Sequence, residues 1–300
     1  MLLKDLQTAG ETSLAALYPR PEARSIVLML CRALYGTAGY TAIVEPGYEI
    51  PDTAAFDSAM ERLLRGEPIQ YVLGECEFYG RTFKVTPDVL IPRPETELLC
   101  KEAIEVAGRL MRMRAAYGKS ALRVRVLDLC TGSGCIAWTI ALSVPGVEVT
   151  ATDISRAALA VAAGQNFKAA LKESGALAPV FVEDDLLSEG ESLTGPFDMI
   201  LSNPPYVKES EKSSMRFNVL DWEPSSALFV PDDDPLIFYR AIASRAGVLL
   251  GPDGGGVVEI NETLADPTAA LFRDAGFTGV EIRRDLAEKP RFVTFRKSNC

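Results

Sequence analysis

From residue 93 to the end, the chain alternates between segments that read as strands and segments that read as helices, and nothing else in the sequence restricts the fold as strongly. Five runs rich in apolar and β-branched residues stand out: VRVLDL (124–129), VEVTATD (147–153), PVFVED (179–184), FDMILSN (197–203) and GVVEIN (256–261), with helical sequence between most neighbours. Strands that take turns with helices predict an α/β fold whose mostly parallel sheet is covered on both faces. The last two runs, GVEIRRDL (279–286) and RFVTFRK (291–297), have no helix between them, so the sheet is predicted to have an antiparallel end.

The front of the chain is different. Residues 1–73 show no strand alternation and predict a small helical domain. In PDTAAFDSAMERLLRGEP (51–68), Phe56, Met60, Leu63 and Leu64 fall at i, i+4, i+7 and i+8, with Asp52 or Thr53 placed to cap the start and Gly66 the end. EARSIVLMLCRALYG (22–36) predicts a second, more apolar helix. Residues 74–92 change to short extended segments around Gly and Pro, which predicts a hairpin linker. The expected division is therefore 1–73, 74–92 and 93–300. Pro94 suits the first turn of the helix that follows, and Glu95 and Glu97 stand where a helix dipole favours negative charge.

Composition excludes several classes of function. Forty-one acidic against thirty-one basic residues give a formal charge of -10, which disfavours sequence-independent nucleic-acid binding. The cysteines at 31, 76, 100, 130, 135 and 300 form no CxxC pair and no zinc-like spacing, so a reduced chain without metal is expected. Lys4 and Asp5 interrupt the start before a signal-peptide core can form, and TGSG and Pro145 break the uncharged stretch 129–147, so a cytoplasmic protein without a membrane span is expected. There is no histidine, which removes Ser-His and Cys-His nucleophile chemistry and the commonest general base.

The first chemical motif, DLCTGSGCIA (128–137), ends the first of the five strands. Glycines at a strand-to-helix turn let a ligand approach the backbone and the amides of the helix start, although such a turn is also an ordinary tight connection. The spacing is neither GxGxxG nor GxxxxGK[ST], which argues against NAD and ATP. Asp153 ends the second strand, nineteen residues beyond Gly134, where a carboxylate is placed to accept both hydroxyls of a ribose. In VEDDLL (182–187), Asp185 stands to accept from a purine amine and Leu186 to cover the ring, while Asp184 and Asp185 also suit a solvated turn or cap. Three strand ends in order describe a nucleoside along the carboxyl edge of the sheet. The fourth strand delivers SNPPY (202–206) to the same edge. Pro204 and Pro205 end the strand and stiffen the loop, so the Asn203 side-chain carbonyl and the Pro204 backbone carbonyl match the two N–H bonds of a planar amide or aromatic amine, with Tyr206 beside it. Holding both N–H bonds favours the geometry in which the nitrogen lone pair points at a methyl group, and needs no strong base. The alternative for Asn203 is a capping residue in a proline-stiffened turn.

DLCTGSGCIA, TDIS and NPPY in this order resemble S-adenosylmethionine-dependent methyltransferases that act on a planar nitrogen. EPIQYVLGECEFYGRTFKVTPDVLIPRPETELL (67–99), FDMILSNPPYV (197–207), EPSSAL (223–228) and DLAEKPRFV (285–293) narrow the resemblance to the HemK-type family. That resemblance implies a Rossmann-like methyltransferase sheet behind a helical domain that recognises a protein substrate. It implies transfer of methyl from S-adenosylmethionine to the glutamine of the Gly-Gly-Gln motif in peptide chain release factors. A cytoplasmic monomer without metal, nucleic-acid or membrane partner is expected. It assigns Thr131, Gly132, Ser133, Gly134, Asp153, Asp185 and Leu186 to the cofactor. Asn203, Pro204, Pro205 and Tyr206 go to the glutamine amide, with Asn203 also near the methyl donor. IPRPETE (91–97) shapes the other side of the site, with Arg93 and Glu95 either in the site or simple ion-pair partners. FVPDDDPLIFYR (229–240) stands where a glycine-rich turn is usual, and EINETLADP (259–267) lacks a glutamine often found there. The alternatives are glutamine methylation of a ribosomal protein, amino-group methylation of adenine or guanine in nucleic acid, and a nucleoside-binding module without turnover.

Overall fold

The computed structural model describes residues 1–117, 123–188, 193–285 and 287–298. Cys300, and Leu286 in the DLAEKPRFV stretch, lie outside the described residues. The chain divides into two compact units: Met1–Glu75 with Met215–Trp222, and Cys76–Ser214 with Glu223–Cys300.

The first unit is helical. Numbered along the whole chain, it holds α1 (Leu3–Leu14), α2 (Arg20–Tyr35), α3 (Thr41–Val44), α4 (Ala54–Leu64), α5 (Ile69–Leu73) and, from the later segment, α10 (Phe217–Leu220). Its core gathers Leu3, Leu14, Val27, Leu30 and Leu63. On α4 the expected face is buried at Phe56, Met60 and Leu63. Thr53 holds the cap position without a side-chain cap bond, its hydroxyl turning to Asp57, while Asp52 Oδ1, one residue earlier, accepts from Ala54 N at 2.9 Å. Gly66 follows the helix with φ at +88°, and a Cβ there would stand 2.2 Å from the Phe217 ring. That close approach, with an ion pair between Arg216 and Glu22, explains why 215–222 packs with the helical unit, whereas the sequence alone places it within 93–300.

The second unit opens with a two-stranded hairpin, β1 (Glu75–Phe78) and β2 (Arg81–Lys84), across Tyr79–Gly80. Both turn residues have positive φ, as a two-residue type I′ turn requires. The main sheet has seven strands in the order β10-β11-β9-β6-β3-β4-β5: β3 (Arg125–Leu129), β4 (Glu148–Asp153), β5 (Val180–Glu183), β6 (Phe197–Ser202), β9 (Leu250–Glu259), β10 (Phe277–Arg284) and β11 (Pro290–Lys297). A small parallel pair, β7 (Val207–Lys208) with β8 (Phe229–Val230), stands apart. The strands from β9 through β6, β3 and β4 to β5 are parallel, and β11 pairs antiparallel with both β9 and β10.

Side chains that alternate along the strands feed two cores. On one face Val126, Val149, Met199 and Val257 meet α6 (Thr96–Ala116) and α7 (Cys135–Ser143). On the other, Leu127, Leu129, Ile200 and Val258 meet α11 (Ile237–Leu249) and α12 (Ala265–Asp274). Two shorter helices, α8 (Arg156–Ala163) and α9 (Lys168–Ser174), connect β4 to β5. This double cover is why the central strands read as nearly continuous apolar runs. Helix α6 starts two residues later than the sequence suggests. Pro94 lies in the preceding turn, where the amides of Thr96, Glu97 and Leu98 bond three residues back. Among the described residues, no helix is long and apolar enough to cross a membrane.

Candidate functional site

Strand order reverses at β3: β4 and β5 follow on one side, and β6 returns to the other. In an open α/β sheet a crevice forms beyond the carboxyl ends of the strands at such a switch point. Here it is a cavity of about 240 Å³, bordered by Thr131, Gly132, Ser133, Asp153, Asp185, Leu186, Asn203 and Pro205. A wider groove of about 1040 Å³ between α6 and the β9–β11 end of the sheet contains none of the cofactor or substrate residues expected from the sequence. Size therefore does not locate the site; the convergence of strand ends does.

The glycine loop is held by its neighbours. Thr131 N donates to Thr152 O at 2.8 Å, and its hydroxyl donates to Asp128 Oδ2 at 2.6 Å. Gly134, with φ at +78°, begins α7, and a Cβ there would meet Ala162 and Trp138 at about 3 Å, so this glycine serves packing. Gly132 is the opposite case. Its φ is +53°, and an added Cβ would meet nothing within 4 Å. Because Gly132 also borders the cavity, its missing side chain leaves a cradle open to a ligand.

Asp153, at the end of β4, accepts from Gly132 N through Oδ2 and from Ser155 N through Oδ1, each at 2.9 Å. Burial pushes its carboxyl above the usual range, against the pull of those two amides. At the end of β5 the two acids separate. Asp184 is buried and pairs with Arg245 of α11 at 2.9 Å, whereas Asp185 is exposed, borders the cavity, and accepts from Leu187 N. Leu186 is buried and joins the α11 core while facing the same cavity. Behind the loop, burial raises the Asp128 carboxyl to about 7, against the pull of the Thr131 hydroxyl and the Ala137 amide. Cys130 and Cys135 also border the cavity, and burial pushes both thiols up, that of Cys135 to about 12, so neither is a ready thiolate.

The fourth strand end splits the NPPY motif. Asn203 and Pro205 border the cavity, while Tyr206 turns inward and its hydroxyl donates to Glu259 Oε1 at 3.0 Å. Glu259 ends β9 and is 2% exposed, with Oε2 accepting from the Thr96 hydroxyl at 2.7 Å. Thr96 in turn accepts from Asn203 Nδ2 at 3.1 Å. Arg93 pairs with Glu223 at 2.6 Å, and Glu223 also accepts from Ile91 N, so IPRPETE and EPSSAL are joined through one buried carboxylate. Asn261, two residues after Glu259, accepts from Thr263 N and donates to Tyr206 O at 3.2 Å.

Sequence reasoning did not single out Glu259, Thr96, Glu223 or Arg245. Only the first left a clear signal: a carboxylate inside GVVEIN, an otherwise apolar strand, must be paired if it is buried. Thr96 lies inside IPRPETE between two glutamates, where a threonine carries no signal of its own.

The family model for the methyltransferase small domain matches residues 100–220. A release factor glutamine methyltransferase of Bacteroides thetaiotaomicron is 37% identical over 290 residues, covering 94% of this chain and 95% of the relative. One from Bordetella pertussis is 41% identical over 272 residues, covering 90% and 92%. Among solved structures, the hMettl16 catalytic domain in complex with an RNA hairpin shares the fold, with a TM-score of 0.52 over 74% of this chain and 77% of that one, at 15% identity. Sequence identity sustained along nearly the whole of both chains, with the strand-end motifs converging on one cavity, places this protein in the release factor glutamine methyltransferase family.

Proposed function

We propose that the protein transfers a methyl group from S-adenosylmethionine to the side-chain amide nitrogen of a glutamine in peptide chain release factors, in their Gly-Gly-Gln motif. One observation carries the reading: Asn203, at the carboxyl end of β6, borders the same cavity as Gly132, Asp153 and Asp185. The donor set suits the cofactor. Asp153 and Asp185 are acceptors for ribose hydroxyls and an adenine amine, Leu186 is an apolar cover, and the open face of Gly132 admits a ligand against the loop from Thr131 through Ser133 to Gly134. When bound, S-adenosylmethionine supplies an electrophilic methyl group.

Asn203 Oδ1 accepts one N–H of the glutamine amide and the Pro204 carbonyl the other, which fixes the direction of the nitrogen lone pair. Pro205 narrows the approach, and Tyr206 braces the turn from behind through Glu259. In a chain without histidine, Asn203 Oδ1 holds the departing N–H proton until water takes it. The helical unit serves recognition of the protein substrate, and the reading places the enzyme in the cytoplasm as a monomer that uses no metal.

The test is a methyl-transfer assay with labelled S-adenosylmethionine on a purified release factor, on its Gln→Ala variant, and on nucleic acid. Label on the wild-type factor alone is the expected result. Label on nucleic acid, or on the Gln→Ala factor, overturns the choice of substrate.

A further inference from the structure

We propose that Thr96 and Glu259 are positioning residues that decide which end of the Asn203 amide faces the substrate. The proposal rests on the methyl-transfer reading above and adds a cause for the orientation that reading needs. Burial pushes the Glu259 carboxyl up, and the two hydroxyls that donate to it pull the other way. Glu259 is buried, and its two oxygens are occupied by two hydroxyl donors, Thr96 Oγ1 at 2.7 Å and Tyr206 OH at 3.0 Å. A threonine hydroxyl has one hydrogen, and this one is committed to Glu259. Toward Asn203, Thr96 is therefore an acceptor, and the group it faces must be the amide nitrogen, as the 3.1 Å contact from Asn203 Nδ2 has it.

The chain of donors runs from Asn203 through Thr96 to Glu259, and its direction is imposed by the carboxylate at its inner end. With the nitrogen turned inward, the carbonyl oxygen is left for whatever occupies the cavity that Asn203 borders. The opposite rotamer would present a second donor to the two N–H bonds of a glutamine amide and repel them. Thr96 is 2% exposed, so water does not substitute for it. The inner end is anchored as well: the Tyr239 hydroxyl donates to the Glu259 backbone carbonyl at 3.1 Å. None of these partners is local, since Thr96 lies 107 positions from Asn203 and 163 from Glu259.

Two readouts test this, one independent of the substrate. In ¹⁵N spectra of the full chain, the side-chain amide signal absent from Asn203→Asp identifies Asn203. One of its protons should exchange slowly in the wild type and in Thr96→Ser, and fast in Thr96→Val. Unprotected Asn203 amide protons in the wild type overturn the proposal without any variant. In the methyl-transfer assay, Thr96→Val should lower kcat about tenfold or more while calorimetric affinity for S-adenosylhomocysteine changes less than about twofold; Thr96→Ser should restore kcat to within about threefold. Equal kcat in Thr96→Val and wild type, or equal loss in the Val and Ser variants, overturns the positioning role. Glu259→Gln offers a donor as well as an acceptor, so it should lower kcat by less than Thr96→Val; wild-type kcat and exchange in Glu259→Gln remove Glu259 from the proposal. A wild-type enzyme that labels no release factor defeats the functional reading instead, and the exchange experiment still decides the orientation.

Discussion

The glycine loop and the Asn203 corner sit on one sheet edge, yet their acids are held in different ways. At the loop, Asp128 has a single side-chain donor, the Thr131 hydroxyl three residues away, and Asp153 is tied by the amides of Gly132 and Ser155. At the corner, Glu259 receives hydroxyls from α6 and from the segment after β6, each brought in by the tertiary fold. The loop is thus assembled from consecutive residues and adjacent strands, while the corner exists only once β9, β6 and α6 have packed. Burial raises both carboxyls, that of Asp128 to about 7 against the Thr131 hydroxyl and the Ala137 amide, and that of Glu259 against two hydroxyls from distant segments.

The largest effect should come from Asp128→Asn, which tests whether the loop acid is as poorly compensated as its partners suggest. Burial raises its carboxyl from 3.8 to about 7 in the folded state. Between those values the unfolded chain has lost the proton and the folded chain keeps it, so stability is greatest below the lower value and falls as pH rises through the window. At about 1.4 kcal/mol per unit the fall is on the order of 4 kcal/mol. Urea titrations across that range should show the slope flattened in Asp128→Asn; an unchanged slope would mean another group is responsible.

Arg245→Ala removes a long-range clamp on the loop side. Its guanidinium meets Asp184 and the carbonyls of Asp185 and Ser188, with only 12% of the arginine side chain and 2% of the aspartate side chain exposed. Breaking a buried pair from one side costs about 3–5 kcal/mol, so a loss near 3 kcal/mol in denaturant unfolding is expected. A loss below about 1 kcal/mol would show that the local bonds suffice.

Asn203→Ala should lower kcat for methyl transfer on the order of 10²- to 10³-fold, the usual cost of removing a group that meets the reacting atoms, with S-adenosylhomocysteine affinity nearly unchanged. Parallel loss of both would make Asn203 a cofactor ligand or a structural residue. Asp153→Ala should show the reverse split, weakening S-adenosylhomocysteine about 10- to 100-fold in calorimetry. Unchanged affinity there removes the ribose assignment. Gly132→Ala is the mildest: its Cβ meets no atom, so stability should fall by only about 1–2 kcal/mol from the left-handed backbone. Affinity should fall as well, because the methyl stands in the cradle; full affinity would place the ligand elsewhere.

Legibility followed the same division. The five strands, their order of appearance and the antiparallel end were readable because each is a contiguous apolar run bounded by turn residues. Asp153 and Asn203 were readable because a polar residue that ends such a run must lie at the sheet edge. The pairing of Thr96 with Glu259 was not, since nothing in the sequence links residues 163 apart, and a threonine beside Glu95 and Glu97 reads as a helix start; the carboxylate in an apolar strand marks Glu259 as paired without naming its partner. The affiliation of 215–222 was equally hidden. It depends on the Phe217 ring lying where Gly66 has no side chain, which no local pattern encodes.

By itself, the sequence determined which segments become strands and which acids and amides stand at their carboxyl ends, because strand periodicity and turn chemistry act over a few residues. The tertiary structure alone decided which partners those end residues meet. Burial favours a partner for each polar group at the switch point, and only the packed sheet brings Thr96, Tyr206 and Glu259 close enough to orient Asn203.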